Sequence, residues 1–207
     1  MGTGSGTRRH TSRPTRPPWA GRSPVFAAGL VDNKGKPIKL RDSEGLFALN
    51  ANNGKKGDTQ LIVSFEHGPR IYRMTPQGRQ VGVVPIHKDL QNAKAYRSQN
   101  AMLESVAYHP KYGFLTAPER SLKGEPNNLQ TIYSAKQKWS FLAYPAENSS
   151  VTSLEILPDK SVLVLERAWV GILHPMVISL RRVDLDACAK AEVCEVQDLG
   201  VYSSLIQ

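Results

Sequence analysis

Three glutamates recur along the chain at a near-regular step. Glu66, Glu119 and Glu166 each close a short apolar run, and they stand 53 and 47 positions apart. Arginine accompanies each of them: Arg120 and Arg167 follow directly, and Arg70 comes four residues after Glu66. A second set of acids, Glu44 and Glu104, opens the apolar runs ahead of the first two, with Thr152 at that place in the third. Carboxylates gathered in this way hold hard cations such as Ca²⁺ through oxygen ligands. Guanidinium groups beside them grip phosphate or carboxylate bidentately. Together they can set a metal-activated water against an ester or phosphoester. The pattern therefore assigns acid–base chemistry to Glu66, His67, Glu119 and Glu166, substrate binding to Arg70, Arg120 and Arg167, and a divalent cation to Glu44 and Glu104. The competing reading is structural, each Glu pairing with a neighbouring Arg or with strand-end N–H groups to staple repeats together.

Other chemistries find less support. The histidines are His10, His67, His87, His109 and His174. His67, directly after Glu66, is the one placed for proton transfer, and a hydrogen-bonded structural role is its alternative. No Gly-x-Ser-x-Gly elbow supplies a nucleophile. No glycine-rich phosphate loop or dinucleotide fingerprint is present. Aromatic residues are not interleaved with basic ones as single-strand nucleic-acid binders need.

The glutamates belong to a repeated grammar: a small or acidic opening, an apolar strand, a turn, and a second apolar strand ending in Glu. The copies begin near Asp42, Asn100 and Val151. A period near 50 residues built from short strands predicts propeller blades. Strands are expected over residues 46–49, 61–65, 70–74 and 81–84, then 130–135 and 140–144, then 151–167 and 176–183. In the 61–65 strand Leu61, Val63 and Phe65 share one face, while Ile62 and Ser64 share the other with Glu66. Thr75-Pro76-Gln77-Gly78 reads as a type I turn. Residues 86–99 interrupt the pattern with a polar excursion, expected as a short helix or surface loop. Residues 184–207 are a short remainder, to which no strand is assigned, and end without a terminating pattern.

The net charge of +9 comes largely from one end. Residues 1–24 hold Arg8, Arg9, Arg13, Arg16 and Arg22 with no acid, and almost nothing to bury, so they are expected to form a disordered, dispensable basic leader. They contain no apolar stretch of the kind a secretory signal requires. No apolar run approaches the length of a membrane-spanning helix. Cys188 and Cys194 are either a small-loop disulfide or two unlinked thiols; two cysteines alone make no zinc site.

The segments Asn100-Ala-Met-Leu-Glu104-Ser-Val-Ala, Ala117-Pro-Glu119-Arg120, Ala143-Tyr144-Pro145 and Leu163-Val-Leu-Glu166-Arg167 resemble the phytase-like domain, the "esterase-like activity of phytase" family. Asp42-Ser-Glu44-Gly-Leu and Ser64-Phe-Glu66-His-Gly-Pro-Arg70 look like its preceding blade. The second motif departs from the family's usual Asn-Arg-Gly-Phe-Glu-Gly-Leu. The resemblance implies an all-β fold, here a partial β-propeller of about three antiparallel blades over residues 25–207, truncated at both ends. It implies hydrolysis of small phosphoesters or carboxylic esters, with Ca²⁺ as the expected cation, and a periplasmic or secreted location. A non-catalytic propeller, binding a ligand or protein partner through its channel face, is the alternative.

Overall fold

A computed structural model describes residues 29–39, 42–188 and 191–204 of the chain. The expected leader, residues 1–24, lies outside them. The described chain is all-β and antiparallel, with two single-turn 3₁₀ segments, Lys88–Leu90 and Ala93–Ala95, as its helical content. Four open sheets account for the strands.

The first unit is a four-stranded meander of β1 (Ser43–Leu49), β2 (Gln60–Phe65), β3 (Arg70–Met74) and β4 (Gln80–Val84), paired in sequence order. The turn between β3 and β4 forms as expected: the Gly78 N–H donates to the Thr75 carbonyl, and Gly78 takes a positive φ of 83°. The second unit contains two hairpins, β5 (Ala107–His109) with β6 (Gly113–Leu115), and β7 (Leu129–Tyr133) with β8 (Lys138–Leu142). Reciprocal backbone bonds between Thr116 and Tyr133 join the two hairpins edge to edge. The third unit is a meander of β9 (Ser150–Ile156), β10 (Val162–Ala168), β11 (Met176–Val183) and β12 (Val196–Ser204).

β12 falls where no continuing strand pattern was read. It is an outer strand with Leu199, Val201 and Tyr202 exposed, so burial imposes no alternation on its sequence. Residues 86–99, expected as a helix or loop, form the two 3₁₀ turns. His87 and Asn92 cap them by accepting the N–H groups of Asp89 and Lys94. The cysteines are joined, Cys188 to Cys194, with Cα atoms 5.1 Å apart.

Apolar layers between units hold the arrangement. Ile62, Ile71 and Val84 of the first unit pack with Leu90 and Tyr96 of the excursion and with Leu103, Val106 and Tyr133 of the second. The opposite face of β2, carrying Val63 and Phe65, packs with Ile38 and Met74. The alternation read along this strand thus serves two layers. A third layer joins Leu115, Ile132 and Phe141 to Val151, Leu154 and Val164. His109 reinforces that joint, its Nε2 2.9 Å from the Lys160 carbonyl and its Nδ1 accepting the N–H groups of Lys111 and Tyr112.

The first strands of successive units lie beside one another, β1 against β5 and β5 against β9. The tightest approach is at Gly45. A Cβ there would meet Ser64 Oγ at 2.6 Å and the Ser105–Val106 backbone at 2.7 Å. The Gly45 N–H donates to Ser64 Oγ. Because two of the three clashes are with backbone, relief requires the units to move apart. Gly45→Ala is expected to destabilise by roughly 1–3 kcal/mol, the usual cost of overpacking, which urea unfolding with fluorescence detection will measure.

Candidate functional site

The acids of the first two units meet at the joint that Gly45 permits. Glu66 follows β2, and its N–H donates to the carbonyl of Asp42 just ahead of β1. Glu119 follows β6, and its N–H donates to the carbonyl of Met102 ahead of β5. The correspondence places Asp42 with Met102, Glu44 with Glu104 and Glu66 with Glu119. In the third unit β9 opens with Ser150, opposite Arg167, so Thr152 takes the place of Glu44 and Glu104.

The ladder is irregular at this place in the first and third units. Pairing shifts between Ser43 and Leu46 in β1 and between Leu165 and Glu166 in β10. A bulge bends the strand and re-aims a side chain that would otherwise alternate away. In the second unit an isolated antiparallel Leu103–Pro118 bridge sets Glu104 opposite Ala117 and Glu119 opposite Met102, so the two acids lie on a diagonal across it.

Carboxylate oxygens of Glu66, Glu104 and Glu119 come within 4.8 Å of one another. Asp42, Glu66 and His67 make a second such group, so Glu66 belongs to both. Glu66 is buried and Glu104 and Glu119 half-buried, whereas Asp42 and Glu44 are exposed. Burial pushes Glu104 up to about 8, and the charges of Glu119, Glu44 and Glu66 add to the push, with Arg167 opposing it. Glu66 is raised by burial and by Glu44, Asp42 and Glu119, against the Met102 N–H, which its carboxylate accepts at 3.4 Å. Glu44 is raised by burial and by Asp42. Crowded carboxylates with this pattern take up either a proton or a cation. Three oxygen donors from Glu66, Glu104 and Glu119 are the hard-ligand chemistry that suits Ca²⁺ or Mg²⁺.

The residues singled out in the sequence divide into groups. Glu66, Glu104 and Glu119 converge. Glu44 stands beside them as a charge. His67 borders them, its Nδ1 3.2 Å from Asp42 Oδ2. Arg167 reaches Glu119 Oε1 at 3.5 Å and is half-exposed. Arg120 is exposed and lines a separate cleft with Asn127, Asn128 and Tyr144. Arg70 donates to the carbonyls of His67, Gly68 and Lys39 and stacks over Phe65, with its Cζ 4.5 Å from the ring centroid. It braces the turn that carries His67.

Glu166 lies in a different setting. It is fully buried, bonded to Arg181 Nη1 at 3.0 Å, and accepts the Tyr144 N–H and the Ser149 hydroxyl. Arg181 also bonds Asp198 and the Leu142 carbonyl. This is a staple between the second and third units. Asp42, which the sequence reading left out of the site, belongs beside it; its place two residues before Glu44 and opposite Glu66 across β1 and β2 was the available signal.

The family model described as Phytase-like, esterase-like activity of phytase, matches residues 20–202, most of the chain. The protein belongs to this family. Compared with the curated proteins and with the solved structures, the chain finds no match.

Two consequences follow from the electrostatics. Glu166→Gln removes the buried carboxylate from Arg181, which keeps the more exposed Asp198 as its counter-charge, and is expected to cost about 3 kcal/mol in chemical denaturation, whereas Glu119→Gln relieves repulsion and leaves stability nearly intact. For Glu104, the folded value near 8 exceeds the unfolded carboxyl value of about 4.3, so the native state binds the extra proton. Its stabilising contribution is complete below about pH 4 and is lost as the pH rises through about 8. With chelator present, the melting temperature should show this loss across that window, and Glu104→Gln should flatten it.

Proposed function

We propose that the chain is an ester hydrolase of the phytase-like type, with Glu66, Glu104 and Glu119 as its reactive centre. The observation that carries this reading is the convergence of three carboxylates from two repeats at one partly open position, with Glu104 held far above the ordinary carboxylate range. Structural carboxylates are normally matched by cations, as Glu166 is by Arg181. Here three carboxylates crowd together, with Arg167 paired to Glu119, and displaced carboxyl values of this kind mark functional sites.

The three repeats fit the blades of a β-propeller. Sequence-ordered four-stranded meanders and first strands side by side support that architecture, in which equivalent positions face a common axis. Glu66, Glu104 and Glu119 would hold a divalent cation, Ca²⁺ by their oxygen chemistry; when bound it supplies Lewis-acid polarisation and a more acidic water. Glu119 in its ionised form can accept a proton from water, and Glu104 can donate to a leaving-group oxygen only in the protonated, cation-free state, since a carboxylate that holds the cation is ionised. Arg167 steadies Glu119 and offers charge to an anionic substrate. The Cys188–Cys194 disulfide supports a periplasmic or secreted location, where such bonds persist.

The test is turnover of p-nitrophenyl phosphate and p-nitrophenyl acetate, with and without Ca²⁺ and chelator. Glu119→Gln and Glu104→Gln should each lower kcat by about 10²-fold or more while the protein stays folded, the scale of losing a general acid or base. Absence of turnover by the unmodified chain together with saturable Ca²⁺ binding would instead identify a ligand-binding propeller.

A further inference from the structure

The connection between β10 and β11 carries an apolar tip that the core does not use. Seven residues, 169–175, join these strands, whereas four, 66–69, join β2 to β3 in the first unit. Trp169, Ile172 and Leu173 stand out from it, 54%, 73% and 92% exposed. A single exposed apolar residue is ordinary, but three large ones on one short connection mark an interaction site.

The tip has a defined backbone. The His174 N–H donates to the Gly171 carbonyl at 3.0 Å, so residues 171–174 close a β-turn with Ile172 and Leu173 at its centre. Gly171 opens the turn at a φ of 148°, which residues with side chains rarely adopt. Turn centres are dominated by Gly, Pro, Asn and Asp, which suit the backbone there. This turn instead holds a β-branched Ile and a Leu out toward water, where packing gains nothing from them.

The tip also stands beside the acid centre. Exposure alternates over residues 167–169, exposed, buried, exposed, so Trp169 follows Arg167 on one side of the chain, about 7 Å further on. Arg167 in turn reaches Glu119. Residues 167–175 contain Arg167 and His174 and no carboxylate. An apolar tip with basic flanks and no acid complements an anionic lipid surface, which accepts apolar side chains at its acyl boundary and attracts positive charge at its headgroups. Indole suits the level between the two. A protein partner is less well matched: three side chains on a protruding turn present less than the ~800 Å² per partner of a stable interface.

We propose that the 169–175 turn is a lipid-surface contact, with Ile172 and Leu173 entering the acyl boundary and Trp169 and His174 lying at headgroup level. The inference rests on the hydrolase reading only for its catalytic consequence: it makes esters presented at a lipid–water interface the substrate class that the acid centre meets. The longer connection of the third unit then has a definite task, seating the edge of that centre on the surface.

The experiment measures co-sedimentation of the full chain with vesicles of phosphatidylcholine and phosphatidylglycerol in equal parts. Saturable binding is expected. Ile172→Ser/Leu173→Ser should bind about tenfold more weakly or worse, since lipid affinity scales with the apolar surface inserted. Its melting temperature should match that of the unmodified chain, because both side chains are exposed. Val81→Thr/Val83→Thr alters two exposed residues on β4 and should bind as the unmodified chain does. No saturable binding, or equal weakening by both double variants, overturns the proposal. So does binding that survives Ile172→Ser/Leu173→Ser, which would assign it to charge elsewhere, the arginines of residues 1–24 included. A concentration-dependent dimer that this variant loses, with no vesicle binding, would make the tip a contact between copies and likewise overturn it. The same variant should raise KM for p-nitrophenyl palmitate held in micelles and leave p-nitrophenyl acetate turnover unchanged. Vesicle binding without turnover of any of these esters would remove the hydrolase reading and leave the lipid contact standing. Turnover without vesicle binding would do the reverse.

Discussion

The close approach of the first strands governs the rest of the molecule. With no side chain at Gly45, the β1 backbone comes against the Ser105–Val106 backbone. β5 and β9 are likewise neighbours. An acid or its counterpart lies in or just ahead of each first strand, and a Glu lies in or shortly after each second strand, so bringing first strands together also brings carboxylates together. Apolar layers behind them, Ile62 with Leu103 and Leu115 with Val164, supply the burial that offsets the repulsion. A pairing shift falls beside Glu44 in β1, and an isolated bridge falls beside Glu104 ahead of β5.

Two solutions to buried charge coexist. At the joint of the second and third units, Glu166 is matched by Arg181, two hydrogen-bond donors and a further tie to Asp198, which makes a closed electrostatic unit. At the joint of the first two units, Glu66, Glu104 and Glu119 gather, with Arg167 on Glu119 and His67 beside Asp42. Crowding of this kind costs stability and is informative for that reason, because displaced carboxyl groups mark functional sites. Equivalent sequence positions thus serve different ends. Glu66 and Glu119 face the open centre, and Glu166 is a staple.

Much of this was legible in the sequence. Alternation along residues 61–65 gave both faces of β2, the Thr75–Gly78 turn gave the β3–β4 hairpin, and the repeated Glu gave the correspondence between units. What was not legible is which acids share a space. The sequence places Glu104 with Glu44 and Glu119 with Glu166, because it records position along a repeat. The fold instead brings Glu104 near Glu119 on a diagonal across two antiparallel segments and adds Glu66 from the neighbouring unit. Arg181 could not be foreseen as the partner of Glu166, since Arg167 lies next to it in the chain, and adjacent residues in a strand point to opposite faces. β12 went unread because an exposed outer strand needs no alternation.

The most direct test of the account is a calorimetric titration of Ca²⁺ into the chain at neutral pH, alongside Glu104→Gln, Glu66→Gln and the exposed-acid control Glu155→Gln. If Glu66, Glu104 and Glu119 form one cation-binding centre, the unmodified chain and the Glu155 variant will show a single saturable site, and the two centre variants will lose it. Binding that is absent from the unmodified chain, or that survives equally in all three variants, would contradict the account.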